Sequence, residues 1–111
     1  MKVFNLTKKT AAGDVVWANS FPARLFGLLL TSPGERGIWL LPCNSVHTLG
    51  MRWPLDILFL DKELKVLKLM HKVKPLTFFA SCAKAYSVLE FFSGKWDSSK
   101  IQLGDCLELK G

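Results

Sequence analysis

Short apolar or alternating segments separated by turn residues are the feature that most constrains how this chain folds. Successive side chains of a strand point to opposite faces. In residues 2–7 this places Phe4 and Leu6 on one face and Val3, Asn5 and Thr7 on the other, which is typical of a short strand. Residues 11–14 and 61–64 have turn-forming compositions and predict two hairpins. About eight strands are predicted in all, at residues 2–7, 15–18, 38–41, 45–50, 56–61, 65–73, 85–91 and 105–110.

One segment has the pattern of a helix instead. Ser20 is suited to cap a helix, and Pro22 falls where the first turn needs no amide donor. Leu25 and Leu28 then lie on one face, together with Phe21 and Leu29. The prediction is a mainly β single domain over residues 1–111: a sandwich or partly closed barrel of about eight short strands with one helix near residues 20–30.

Composition favours a compact domain in a reducing compartment. Half of the 111 residues are hydrophobic, and they include eight Phe and four Trp, so a core forms without disulfide bonds. Cys43, Cys82 and Cys106 are odd in number and irregularly spaced, which is typical of reduced thiols. The polar N-terminus does not resemble a signal peptide, and no apolar run is long enough for a membrane span. We expect a cytoplasmic protein.

The basic charge does not by itself indicate nucleic-acid binding. The net charge of +6 comes from 15 Lys and Arg residues against nine acids. A nucleic-acid surface needs these charges clustered on one face, whereas here the lysines are scattered along the chain. Strand lysines of this kind commonly protect sheet edges. The partners expected are therefore a small polar or anionic ligand or another protein, and not nucleic acid.

The centre of the chain carries its most distinctive motif, PCNSVHTLGMRWPLDILFLD at residues 42–61. With Arg24 and the GLL of residues 27–29 before it, and VLE at residues 88–90 after it, this motif resembles the DUF192 family, a domain of unknown function. The resemblance extends over nearly the whole chain and implies a compact, mainly β domain. It implies no established activity, so the chemistry rests on the residues themselves.

A group of unlike polar side chains around this motif is the first candidate site. Arg24 and Arg52 have the guanidinium geometry that holds a carboxylate or phosphate, and His47 is suited to donate a hydrogen bond to it. Asp56 would fix the orientation of a base or cation. The full candidate ligand-binding set is Arg24, His47, Thr48, Met51, Arg52, Asp56 and Glu90.

The same residues allow other interpretations. His47 beside a carboxylate could act as a general acid or base, which would make the protein an enzyme. Alternatively, Arg24 could pair with Asp56 or Glu90 and only tie the helix to the sheet. The chain contains no phosphate loop, dinucleotide fingerprint or nucleophile elbow to decide between them.

A second candidate is a soft-metal site. If residues 43–51 are extended, Cys43, His47 and Met51 share one face, and thiolate, imidazole and thioether are ligands that copper-type ions prefer. His71 or Cys106 could extend this set. Leu49 lies between two of the ligands on the same face, however, which is the pattern of ordinary core packing. No cofactor is expected, and a soft metal ion remains an alternative.

A third candidate is a protein-interaction surface. Aromatic side chains are numerous for a core of this size, and Phe78 and Phe79 fall in a predicted loop after Pro75, where exposed aromatics mark a partner surface. The aromatic residues concerned are Trp39, Trp53, Phe78, Phe79 and Trp96. They could equally cap one open end of a barrel.

Overall fold

The computed structural model describes residues 1–18, 28, 32–48, 51–75 and 80–111, and within them the fold is mainly β. This confirms the predicted fold class. Nine strands and one 3-10 turn, Ser98–Lys100, occur in this part of the chain. The strands are β1 (Lys2–Asn5), β2 (Thr10–Ala18), β3 (Gly37–Leu40), β4 (Ser45–Val46), β5 (Leu55–Leu60), β6 (Val66–Val73), β7 (Ala80–Ser81), β8 (Ser87–Phe92) and β9 (Leu107–Lys110).

Seven of these strands form one mixed sheet in the order β6-β5-β8-β3-β2-β1-β9, and β4 pairs with β7 in a separate ribbon. The pair β2–β3 is parallel, whereas the other pairs of the sheet are antiparallel. The edge strands β6 and β9 approach each other through an isolated bridge between Lys65 and Cys106. The sheet therefore curls strongly without closing into a barrel.

The curled sheet carries a core on each face. Residues directly opposite each other on paired strands share a face, and successive residues alternate. The inner cluster consists of Val3, Ala12, Val15, Leu58, Leu60, Val66, Leu89, Phe91, Ile101 and Leu107. The outer cluster consists of Ala18, Leu28, Ile38, Leu40, Met51, Leu55, Ile57, Phe59, Val73, Ala80, Val88 and Phe92.

The first hairpin turns at a different place from the one predicted. Residues 6–9 form the turn, and residues 11–14, which we expected to turn, lie inside β2. The Asn5 side chain accepts a hydrogen bond from the Lys8 amide, and Lys9 adopts a positive φ of 57°, so the turn forms without glycine. Gly13 instead lies beside the register shift between Val3 and Phe4, where glycine accommodates an irregular strand.

The predicted helix cannot be compared with the structure. Residues 20–30 lie in the connection between β2 and β3 and fall outside the described residues, apart from Leu28, which is buried in the outer cluster. Within the described part of the chain, no helix is long and apolar enough to cross a membrane.

Candidate functional site

Glu90 is the most unusual of the predicted site residues. It lies on β8 directly opposite Ile38 of β3 and Ile57 of β5, so its side chain projects from the outer face among apolar neighbours. Only 4% of the residue is exposed. Among the described residues no side chain hydrogen-bonds its carboxyl group, and burial raises the pKa of Glu90 from 4.5 to about 7. The cause of this shift is the apolar environment, which disfavours the charged form of the carboxyl group.

Thr48 and Met51 are both buried, and hydrogen bonds fix their positions. The Met51 amide donates to the Thr48 carbonyl at 3.1 Å, and Met51 itself packs in the outer cluster. The Thr48 hydroxyl is buried and donates to the Lys74 carbonyl at 2.6 Å, immediately after β6 ends. These two contacts fix the central motif to the same side of the sheet as Glu90.

Two of the three basic members of the predicted set lie at the surface. His47 and Arg52 are exposed. Arg24 lies outside the described residues. The anion-holding roles assigned to these three side chains therefore stay predictions.

Asp56 lies on the opposite face from Glu90. It pairs with Phe91 on β8, one register step from the Ile57–Glu90 pair, and so projects towards the inner cluster. Its Oδ1 accepts a hydrogen bond from the Lys72 amide at 2.9 Å, and its Oδ2 accepts one from the Trp96 indole at 2.8 Å. The two acids of the predicted set thus lie in separate environments.

A histidine that the sequence did not connect with Asp56 lies next to it. His71 Nδ1 is 3.6 Å from Asp56 Oδ1, and the imidazole is 48% exposed. Leu55 pairs with Val73 and Ile57 with Met70, so a β-bulge places both His71 and Lys72 opposite Asp56. Sequence analysis missed this pair because nothing in the spacing of the residues reveals a bulge in β6.

The predicted metal ligands are not held on one straight strand. Strand β4 covers only Ser45–Val46, and the Met51 amide donates to the Thr48 carbonyl, a contact that a straight strand does not allow. The Cys43 thiol donates to the Ser45 carbonyl at 3.3 Å. In the described part of the chain no group of three or more His, Cys, Asp or Glu side chains could hold a metal ion. A site that includes Met51 as a ligand stays a prediction.

The aromatic residues separate into two groups. The Trp53 indole donates to the Ser93 carbonyl at 2.9 Å, and Trp96 stacks on Phe91 with 3.9 Å between the ring centroids. Trp39 is partly buried against the inner cluster. These three tryptophans take part in the packing of the domain, whereas Phe78 and Phe79 lie outside the described residues.

Taken together, the fold and the site define a small, mainly β domain with a mixed, curled sheet in which Asp56 and Glu90 are buried on opposite faces. The chain belongs to the DUF192 family, described as Uncharacterized ACR, whose model matches residues 3–109.

Relatives agree with this assignment, and a solved structure shares the fold. A UPF0127 protein of Pyrococcus furiosus is 31% identical, with 96% of each chain covered. A UPF0127 protein of Pyrococcus horikoshii is 30% identical over 84% of each chain. A crystal structure of a protein of unknown function from Novosphingobium aromaticivorans superimposes with a TM-score of 0.78. That structure shares 22% identity and the match covers 97% of this chain and 82% of the other, so it demonstrates a common fold.

Proposed function

We propose that this protein is a small binding module that holds a small polar or anionic ligand on the outer face of its sheet, with Glu90 as the buried hydrogen-bonding group. The observation that supports this is the Glu90 carboxyl group, enclosed by apolar side chains and without a hydrogen-bonding side chain among the described residues. Burial among apolar side chains disfavours the charged carboxylate, and a ligand that hydrogen-bonds the carboxyl group recovers part of that cost.

The pKa of about 7 determines which ligands suit the site. Near neutral pH a substantial fraction of the Glu90 carboxyl groups carries a proton. The protonated acid donates a hydrogen bond to a carbonyl or carboxylate oxygen, which allows a small anion to bind beside it. Arg24, His47 and Arg52 would supply positive charge around the ligand in this proposal.

Native mass spectrometry of freshly purified protein tests the proposal. We expect extra mass corresponding to a small molecule on the wild type and on Glu63→Gln, a control at an exposed acid, and we expect its loss from Glu90→Leu. Leucine keeps the approximate volume of glutamate and removes its hydrogen-bonding capacity. Weak ligands are tested by adding acetate, glycine or inorganic phosphate to the ligand-free protein and measuring the changes in NMR chemical shift. If wild type and Glu90→Leu respond identically to every probe, Glu90 is a structural residue only.

We further infer a cytoplasmic location. Cys82 and Cys106 are free thiols and only partly buried, which is the state expected in a reducing compartment. Cell fractionation with an antibody against the chain measures this directly. Recovery in an extracytoplasmic fraction would contradict it.

A further inference from the structure

We propose that His71 and Asp56 form an acid–base dyad on the face of the sheet opposite Glu90, in which the imidazole Nε2 takes a proton from water or from a hydroxyl group of a bound molecule. This activity is independent of ligand binding at Glu90. It also assigns the acid–base role to His71, whereas the sequence analysis considered His47 for that role.

The first support is the way in which Asp56 is held. Its side chain is 3% exposed, and each carboxylate oxygen accepts one hydrogen bond, from the Lys72 amide and from the Trp96 indole. Donors on both oxygens fix the orientation of the carboxylate. A fixed, charged carboxylate beside an imidazole Nδ1 is the arrangement that leaves Nε2 free to accept a proton.

The second support is the backbone that presents His71. The bulge in β6 places His71 against Asp56, and it requires Lys72, a residue other than glycine, to adopt a positive φ of 53°. This conformation is costly for a side-chain-bearing residue and is held here by the Lys72–Asp56 hydrogen bond. Bulges of this kind commonly redirect a side chain next to an active site.

The third support is the accessibility of the imidazole. With Nδ1 facing Asp56 and 48% of the side chain exposed, a small molecule can reach the other edge of the ring. The 3.6 Å separation between Nδ1 and Oδ1 is longer than a hydrogen bond, as is common for catalytic pairs before substrate binds.

Hydrolysis of p-nitrophenyl acetate is a suitable probe reaction. Water loses a proton to His71 Nε2 while its oxygen bonds to the ester carbonyl carbon. The bond from that carbon to the phenolate oxygen breaks, and p-nitrophenolate leaves as acetic acid forms. The proton then passes from the imidazole to solvent, which restores the dyad.

Release of p-nitrophenolate from variants of the full chain tests the role of His71. We expect His71→Gln to reduce the rate of the wild type by at least about tenfold, whereas Lys84→Gln, at an exposed position, leaves it unchanged. Because His71 is half exposed, its replacement leaves the core intact. Equal rates for the wild type and His71→Gln would overturn the proposal, and so would a loss that follows His47→Gln instead.

Nitrogen-15 NMR of the imidazole tests the positioning role of Asp56. We expect neutral His71 of the wild type to carry its proton on Nδ1, and Asp56→Asn to shift that proton to Nε2. A purely structural Asp56 would not set the tautomer. A wild-type His71 that carries its proton on Nε2 would overturn the dyad, whether or not the Asn variant folds.

Discussion

Asp56 and Glu90 lie one register step apart across the β5–β8 pair, yet their carboxyl groups project from opposite faces of the sheet. Asp56 accepts hydrogen bonds on both oxygens, whereas no described side chain hydrogen-bonds Glu90. The two carboxyl groups are therefore close in the fold but differ in their hydrogen bonding and surroundings. This difference leads to separate predictions for each face.

Replacement of Glu90 should change how stability depends on pH. Burial raises the folded-state pKa of Glu90 from 4.5 to about 7, so the folded protein binds more protons than the unfolded chain between these values. The free energy of unfolding of the wild type should fall as pH rises through this range, by on the order of 3 kcal/mol relative to Glu90→Gln.

Urea unfolding of both proteins between about pH 4 and about pH 8 measures this difference. Glu63→Gln, at an exposed acid, serves as the control and should follow the wild type at every pH. If the free energy of unfolding depends on pH in the same way for the wild type and Glu90→Gln, the Glu90 carboxyl group is solvated in the folded protein.

Removal of the Trp96 indole nitrogen should destabilise the inner face. Trp96→Phe keeps an aromatic ring over Phe91 but leaves Asp56 Oδ2 without its 2.8 Å donor. We expect a loss of about 2 kcal/mol in the free energy of unfolding, because hydrogen bonds to charged groups contribute at this level. Trp17→Phe is the matched control, since Trp17 is 48% exposed and should change stability little. Equal stability of the two variants would mean that the Asp56 contact contributes nothing.

A side chain at position 37 should force β3 away from β8. A Cβ atom added to Gly37 would meet the Glu90 carbonyl at 2.4 Å and the Phe91 ring at 2.6 Å. We expect Gly37→Ala to cost at least about 2 kcal/mol, measured by thermal or urea unfolding. Gly34→Ala is the control, because the nearest atom to its added Cβ would be 3.9 Å away. A fully stable Gly37→Ala would contradict the close packing of Phe91 on β3.

The buried side-chain amide of Asn5 should hold the segment after β8 in place, because that segment contains both of its hydrogen-bond acceptors. Its Nδ2 donates to Asp105 Oδ2 and to the Lys100 carbonyl, both at 2.8 Å. Asn5→Ala removes this donor from both acceptors, although Asp105 Oδ2 keeps its hydrogen bond from the Gln102 amide, and should cost about 2 kcal/mol. Asn44→Ala, at an exposed position, should have little effect. Hydrogen exchange would locate the loss: faster exchange confined to β1, the 3-10 turn and β9 is expected, and uniformly faster exchange would argue against a local role.

Local patterns predicted much of the sheet. The apolar run at residues 56–61 and the alternating segment at residues 65–73 correspond closely to Leu55–Leu60 and Val66–Val73, because a tight turn between two strand-forming segments determines a hairpin locally. The first hairpin was misplaced, since Asn5 and Lys9 form its turn without the glycine that the prediction relied on.

The arrangement of the candidate site residues depends on strand register and on a β-bulge, which local sequence patterns do not reveal. Asp56 and Glu90 were identified as candidates and both are buried. The face to which each projects depends on the register between β5 and β8, which are distant in sequence. The proximity of His71 to Asp56 depends on a bulge, and a one-residue insertion leaves no pattern in hydrophobicity.

The pairing of β1 with β9 has a consequence for how the chain reaches its native state. Asn5 and Asp105 are 100 residues apart in sequence and meet through a buried hydrogen bond. A contact between such distant residues carries a large loop-closure entropy and forms late unless other strands have already shortened the loop. The pairing strands β5, β6 and β8 lie close enough in sequence to assemble first. Until β9 arrives, the outer edge of β1 is open to strands of other molecules, so aggregation during refolding should depend steeply on protein concentration.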